Sequence, residues 1–151
     1  MATFVFFDEF GYDLGMGKHN LQSDTLKIAL VSSSAGTGVD QSADAVLGDI
    51  TQITGGSGYT TGGVTITTDP VWEETSAGSG TWRLVTPDLT LTATSGGMGP
   101  FRYVVLFNDT QTTPSKPLIG YLDYGSDITV SSGNTFLIDV GTNGWFQIPI
   151  T

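Results

Sequence analysis

Phe101-Arg102-Tyr103-Val104-Val105-Leu106-Phe107 is the most apolar run in the chain, and Asn108-Asp109-Thr110 stops it. Seven residues are too few for a stable helix, and the β-branched and aromatic types favour a strand. No polar residue alternates with the apolar ones from Tyr103 to Phe107, as expected of a central strand covered on both faces. Working outward, Thr25-Leu26-Lys27-Ile28-Ala29-Leu30-Val31 and Leu118-Ile119-Gly120-Tyr121-Leu122-Asp123-Tyr124 read as further strands. Val64 and Ile66 alternate with Thr65 and Thr67, and Leu89 and Leu91 with Thr90 and Thr92, the period of two of half-buried strands. Trp82, Leu84 and Thr86 alternate with Arg83 and Val85, and Pro87 separates this run from the next.

The punctuation is as regular as the strands. Gly62-Gly63 marks a turn or bulge, residues 95–100 (SGGMGP) read as a turn, and residues 111–117 (QTTPSKP) form a loop. Ile128-Thr129-Val130 and Thr135 to Val140, on either side of Ser132-Gly133-Asn134, read as a hairpin. Ala45 to Ile50 fits a short helical turn or an edge segment. Trp145 to Ile150 is a last strand at an edge, because Pro149 has no N–H to give a ladder. Eight or nine short strands with Gly, Ser, Thr, Asn and Pro turns predict an all-β chain. The expected architecture is a single-domain antiparallel β-sandwich or jelly roll over residues 23–151, behind a short N-terminal helical or extended arm over residues 1–22.

Composition agrees. The 151 residues are 38% hydrophobic but only 13% charged, against about 25% in ordinary soluble domains. Gly at 21, Thr at 23 and Ser at 13 fill the difference. Gly and Thr are poor helix formers, so a helical bundle is excluded. No stretch approaches the roughly 20 apolar residues of a membrane-spanning helix. Five Lys plus Arg face fifteen Asp plus Glu, a net charge of −10 that repels nucleic acid and anionic membranes. The absence of cysteine removes disulfides, thiolate nucleophiles and Cys-bound zinc. The first residues, MATFVFFDEF, lack a positive n-region, which predicts synthesis in a cytoplasm without a secretory signal.

Phe6, Phe7, Phe10 and Leu14 recur at helical spacing in residues 4–22, broken by Gly11, Gly15 and Gly17. Five aromatics lie in the first twelve residues: Phe4, Phe6, Phe7, Phe10 and Tyr12. Either this segment is a terminal turn packed on the core, or it is an apolar arm that docks on a neighbour. On the second reading those five side chains are the candidate interface residues, with the loops at 32–44 and 75–80.

Chemistry offers few candidates, and no catalytic, cofactor-binding or metal site is expected. His19 is the only histidine; it lies outside any strand-loop framework and reads as an exposed or capping side chain. Gly36-Thr37-Gly38 and Gly78-Ser79-Gly80 lack the following helix that a phosphate cradle needs. Glu73-Glu74 are neighbours in a strand and point to opposite faces, so they are not a glycosidase pair. Asp123, Asp127 and Asp139 lack EF-hand-type calcium spacing. Trp72, Trp82, Tyr59, Tyr121 and Trp145 are the candidates for a sugar-stacking platform, although alternating strand aromatics are more often core or interface.

A set of segments carries a family resemblance. They are Lys18-His19-Asn20-Leu21 with Ser23 to Leu30; Ala45 to Ile50 leading to Gly58-Tyr59-Thr60-Thr61-Gly62-Gly63; Gly99 to Thr110; and Pro117 to Tyr121 with Asp123-Tyr124-Gly125. In order, across most of residues 18 to about 140, they resemble a family of small virion proteins of tailed bacteriophages. The resemblance implies a structural role with no enzyme activity and no cofactor. Within the family, a head-decoration (cement) protein is the preferred role: a homotrimer on the outer surface of the capsid, bound to the major capsid protein. A tail or tail-fibre component and a carbohydrate-binding β-sandwich remain the alternatives.

Overall fold

The computed structural model describes residues 2–34, 36 and 38–150. In chain order these residues form β1 (Thr3–Phe6), α1 (Asp8–Gly15), β2 (Leu26–Val31), a 3-10 turn (Leu47–Asp49), β3 (Val64–Thr67), β4 (Val71–Glu74), β5 (Thr81–Val85), β6 (Leu89–Thr92), β7 (Met98–Asn108), β8 (Leu118–Val130), β9 (Thr135–Ile138) and β10 (Gln147–Pro149). The strands make three antiparallel sheets: β1-β8-β7-β2-β3, β10-β5-β4 and β6-β9. The chain is therefore all-β apart from α1 and the 3-10 turn.

β7 lies at the centre of the largest sheet. It pairs with β2 from Leu26↔Asn108 to Val31↔Tyr103, and with β8 from Phe107↔Leu118 to Met98↔Val130. Its alternate side chains enter two different cores. Val104 and Leu106 join Ile28, Leu30 and Ile119 in a cluster that also takes Leu84, Leu91 and Ile138 from the two smaller sheets. Val105 and Phe107 join Ala29, Val31 and Leu118 on the opposite face, under Phe7, Leu47 and Ile50. Every residue from Val104 to Phe107 is fully buried, which is why the run lacks alternation.

Two local signals turn out differently from their sequence reading. The turn expected at residues 95–100 ends at Gly97, whose N–H bonds to the Thr94 carbonyl, and β7 begins at Met98. Gly99 sits inside that strand at φ 120, where a Cβ would lie 2.5 Å from the Ile128 carbonyl oxygen; the glycine serves close strand contact. The hairpin expected across residues 128–140 does not form. A turn is present, with the Asn134 N–H on the Ser131 carbonyl, but Val130 pairs with Met98 whereas β9 pairs with β6. Leu91 and Ile138 thereby enter the same core cluster, and that burial sets the pairing.

The N-terminal residues are built into the fold. β1 is an edge strand on β8, from Thr3↔Asp123 to Phe6↔Gly120. Gly120 is required there: a Cβ would meet the Phe4 ring at 2.4 Å and the Val5 carbonyl oxygen at 2.6 Å. α1 then starts with Asp8 and Glu9, acids suited to the positive end of a helix. The helical spacing seen in the sequence is real only from Phe10 onward, because Phe6 is extended. Its ring stacks on Phe10 at 5.2 Å and meets Phe146 edge-on at 4.7 Å. Phe7 points to the other core, against Tyr121. The expected boundary between residues 22 and 23 coincides with no break, since β1 belongs to the largest sheet.

Two outcomes follow for stability. Val105→Asp places an unpaired charge between β2 and β8, so it should cost about 4 kcal/mol or more and leave no cooperative unfolding transition by circular dichroism. Deleting residues 1–12 removes an edge strand and two fully packed rings, each worth about 3–5 kcal/mol. The truncated chain should lose its thermal transition; a native-like melting curve would show that the segment is an independent arm.

Candidate functional site

α1 has a hollow on each flank. The first, of about 500 Å3, runs between the helix and β10. Phe6, Phe10, Gly11 and Leu14 line one wall and Gln147, Ile148 and Pro149 the other, with Phe7, Asp8 and Gln41 completing it. Gly11 leaves this wall bare, with no atom within 4 Å of where its Cβ would be. Asp8 accepts a hydrogen bond from Gln41 Nε2 at 3.2 Å, and its N–H reaches the Gln41 carbonyl. Tyr12 on the helix and Met16 just past its end are 62% and 57% exposed.

The five expected interface residues divide. Phe7 and Phe10 are buried in the cores, and Phe4 and Phe6 are half-buried in the ring cluster around Phe146. Tyr12 alone of the five stands at the surface. Phe6, Phe7 and Phe10 also line the groove. In the loop at 32–44, positions 35 and 37 lie outside the described residues, and so does the centre of Gly36-Thr37-Gly38. In the loop at 75–80 the Gly78 and Gly80 N–H groups are taken by the Glu74 carboxylate, so Gly78-Ser79-Gly80 is closed by its own acid.

The second hollow, also about 500 Å3, is lined by Leu14, Gly17, His19, Asn20, Leu21, Gln22 and Trp72. Here the reading of His19 as an exposed side chain is corrected: it is 7% exposed, 5.2 Å from the Phe10 ring. Asn108, at the end of β7, organises it. Asn108 Nδ2 donates to Asp24 Oδ2 at 2.6 Å and to His19 Nδ1 at 3.2 Å, while its Oδ1 accepts from the Thr110 and Gln111 N–H groups. Those bonds fix the amide, so Nδ1 accepts and the imidazole proton sits on Nε2. Burial lowers the His19 pKa to about 4, against the opposing pull of Asp24. Among the described residues, His19 Nε2 and Asp13 Oδ2 are the buried side-chain atoms without a hydrogen-bond partner. No signal near His19 pointed to this network, because its organiser is 89 residues away.

The proposed sugar-platform aromatics do not come together. Tyr59 is buried, its hydroxyl between the Leu30 N–H and Gln52, and burial pushes its pKa up to about 12. Trp145 is buried with Nε1 on Thr86. Tyr121 is in the other core, beside Phe7 and Tyr103. Only Trp72 and Trp82 stack, at 6.1 Å and 17°.

Charge is arranged in pairs. Glu73 holds Arg83 at 2.7 Å, and Asp123 holds Arg102 through two bonds of 2.6 and 2.9 Å. Asp109 takes both Lys27 and Lys116, at 2.9 and 2.7 Å. Burial works to raise the Asp109 pKa, but the two ammonium groups outweigh it and hold the carboxyl below its usual range. Four of the five cationic side chains are thus spent on acids of the same chain. Asp127 accepts from the Ser33 N–H, and Asp139 is exposed. Compared with protein-family models, curated proteins and solved structures, the chain matches none of them.

His19 generates a pH prediction. Its folded pKa lies below its unfolded value of about 6.5, so the folded state binds fewer protons. The associated stability is full above pH 6.5 and is lost as pH falls toward 4, amounting to about 3 kcal/mol at the acid end. Urea unfolding measured across pH 7 to 4 should show this slope, and His19→Gln should flatten it.

Proposed function

We propose that the protein is a bacteriophage virion structural protein, a capsid decoration (cement) protein that binds the outer surface of the head and stabilises it. The three sheets are read as a β-sandwich of jelly-roll kind, with β10-β5-β4 and β6-β9 closing over β1-β8-β7-β2-β3. The segments that resemble the phage family supply β2, β7, most of β8 and the cover at Leu47–Ile50, so the resemblance lies on the framework of the largest sheet.

The observation that carries the outward location is electrostatic. A chain of net charge −10, with Arg83, Arg102, Lys27 and Lys116 already bound to their own acids, offers little to packaged DNA and suits the outside of a shell. Synthesis in the host cytoplasm needs no export route, since particles leave by lysis. The partner is the major capsid protein, and a homotrimer would bridge neighbouring subunits. Each copy binds only the assembled state and so shifts the assembly equilibrium by mass action, and many copies add their modest contacts.

The stacked Trp72–Trp82 pair beside a hollow lined by Asn20 and Gln22 favours a second reading, a glycan-binding surface. Mass spectrometry with copy counting on separated heads and tails discriminates. The decoration reading expects copy numbers near that of the major capsid protein in purified heads and none in tails. Low copy confined to tails makes it a tail component. Glycan-dependent tryptophan fluorescence, lost in Trp72→Ala, makes it a sugar binder.

A further inference from the structure

We infer that the groove between α1 and β10 captures an extended, alternately apolar and basic segment of a partner protein as an added strand. The strand edge carries the argument. Phe146 and Ile150 turn their backbone groups toward the β5 side: the Phe146 carbonyl accepts the Leu84 N–H at 3.3 Å, and the Ile150 N–H donates to the Gly80 carbonyl at 2.8 Å. Antiparallel pairing alternates, so Ile148 also faces β5, whereas Gln147 and Pro149 aim their backbone groups away from it. β10 is the edge of its sheet, so the Gln147 N–H and carbonyl and the Pro149 carbonyl are presented outward. Three consecutive residues of β10 line the groove, which a strand does only when the hollow meets it edge-on.

The groove's walls define what fits. An added strand would place alternate side chains against Phe6, Phe10 and Leu14, which calls for small or medium apolar residues. The bordering charges are acidic. Asp8 lines the groove and Glu9 is exposed one residue on, with no cationic side chain among the lining residues. An acidic border on an acidic chain disfavours a second copy as occupant and favours Lys or Arg at the alternating polar positions. That the donor is the major capsid protein rests on the function proposed above; the chemistry of the segment does not.

The probe is a labelled, end-blocked peptide of about eight alternating valine and lysine residues, with a valine–glutamate peptide as its control. Fluorescence anisotropy on the full chain should show binding of the lysine peptide only, weakening as salt is raised. Gly11→Trp fills the groove where a side chain meets open space, and Gln147→Pro removes the outward N–H without removing a bond to β5. Each should weaken binding about tenfold or more with an unchanged melting curve. Thr90→Trp, on an exposed position of β6, should bind as the parent does, and Glu9→Lys should bind less. Equal binding of the two peptides, or undiminished binding by a folded Gly11→Trp or Gln147→Pro protein, overturns the inference. So does a multimer that Gly11→Trp converts to monomer in sedimentation, because the occupant would then be a second copy. Copy counting on heads separates this from the role on the particle: Gly11→Trp protein that decorates heads at full copy sinks the groove alone, whereas peptide capture by a protein missing from heads sinks the decoration role alone.

Discussion

Because β7 has no face turned toward water from Val104 to Asn108, the rest of the chain is arranged around covering that stretch. One face is closed by β4, β5, β6, β9 and β10 through Leu84, Leu91 and Ile138; the other by Phe7, Leu47 and Ile50. Burying such a strand on both sides is favourable only if its backbone groups are paired along its length, and β2 and β8 supply those partners. A slip of one residue would exchange the two cores wholesale and put Val105 where Val104 belongs, so the register is strongly specified. Polar groups mark both ends of the buried run. Arg102 is clamped to Asp123 across the strand pair, and Asn108 is saturated by Asp24, His19 and two N–H groups. The chain has no disulfide to hold its N-terminal segment; β1 is held by its ladder on β8 and by the rings around Phe146.

What was legible in the sequence was whatever depends on a few adjacent residues. Val64 to Thr67, Leu89 to Thr92 and Leu26 to Val31 announce themselves by period and composition, and each is a strand. Pro149 correctly marks an edge, because a missing N–H restricts a strand wherever it lies. What was not legible is partner choice. Ser132-Gly133-Asn134 makes its turn, yet the strands it joins go to different sheets, because Leu91 and Ile138 gain more by meeting in the core than β8 and β9 would gain by pairing locally. Gly99 and Pro100 look like punctuation, but Gly99 is a close-contact position within β7.

The site follows the same division. Aromatic crowding at Phe4, Phe6, Phe7 and Phe10 was visible, but whether such rings face inward or outward depends on what stands opposite. Phe146, Tyr121 and the bare backbone of Gly120 stand there, more than a hundred residues away in sequence. His19 reads as a polar residue in a glycine-broken stretch; its burial is set by Asn108 and Phe10.

Folding the N-terminal rings into the core changes what adhesion costs. A free arm of a dozen residues would have to be ordered each time it docked, at about 1–2 kcal/mol of backbone entropy per residue. In this chain that ordering is completed on folding and is offset by the burial of Phe7 and Phe10 and by the ladder of β1 on β8. The groove beside β10 then has its wall, its strand edge and Asp8 already in place in the folded chain. A surface of that kind needs little apolar area per contact. In the proposed decoration role, where many copies would act together, a small reproducible contact with no ordering cost would be more useful than a large one that must fold anew at each site.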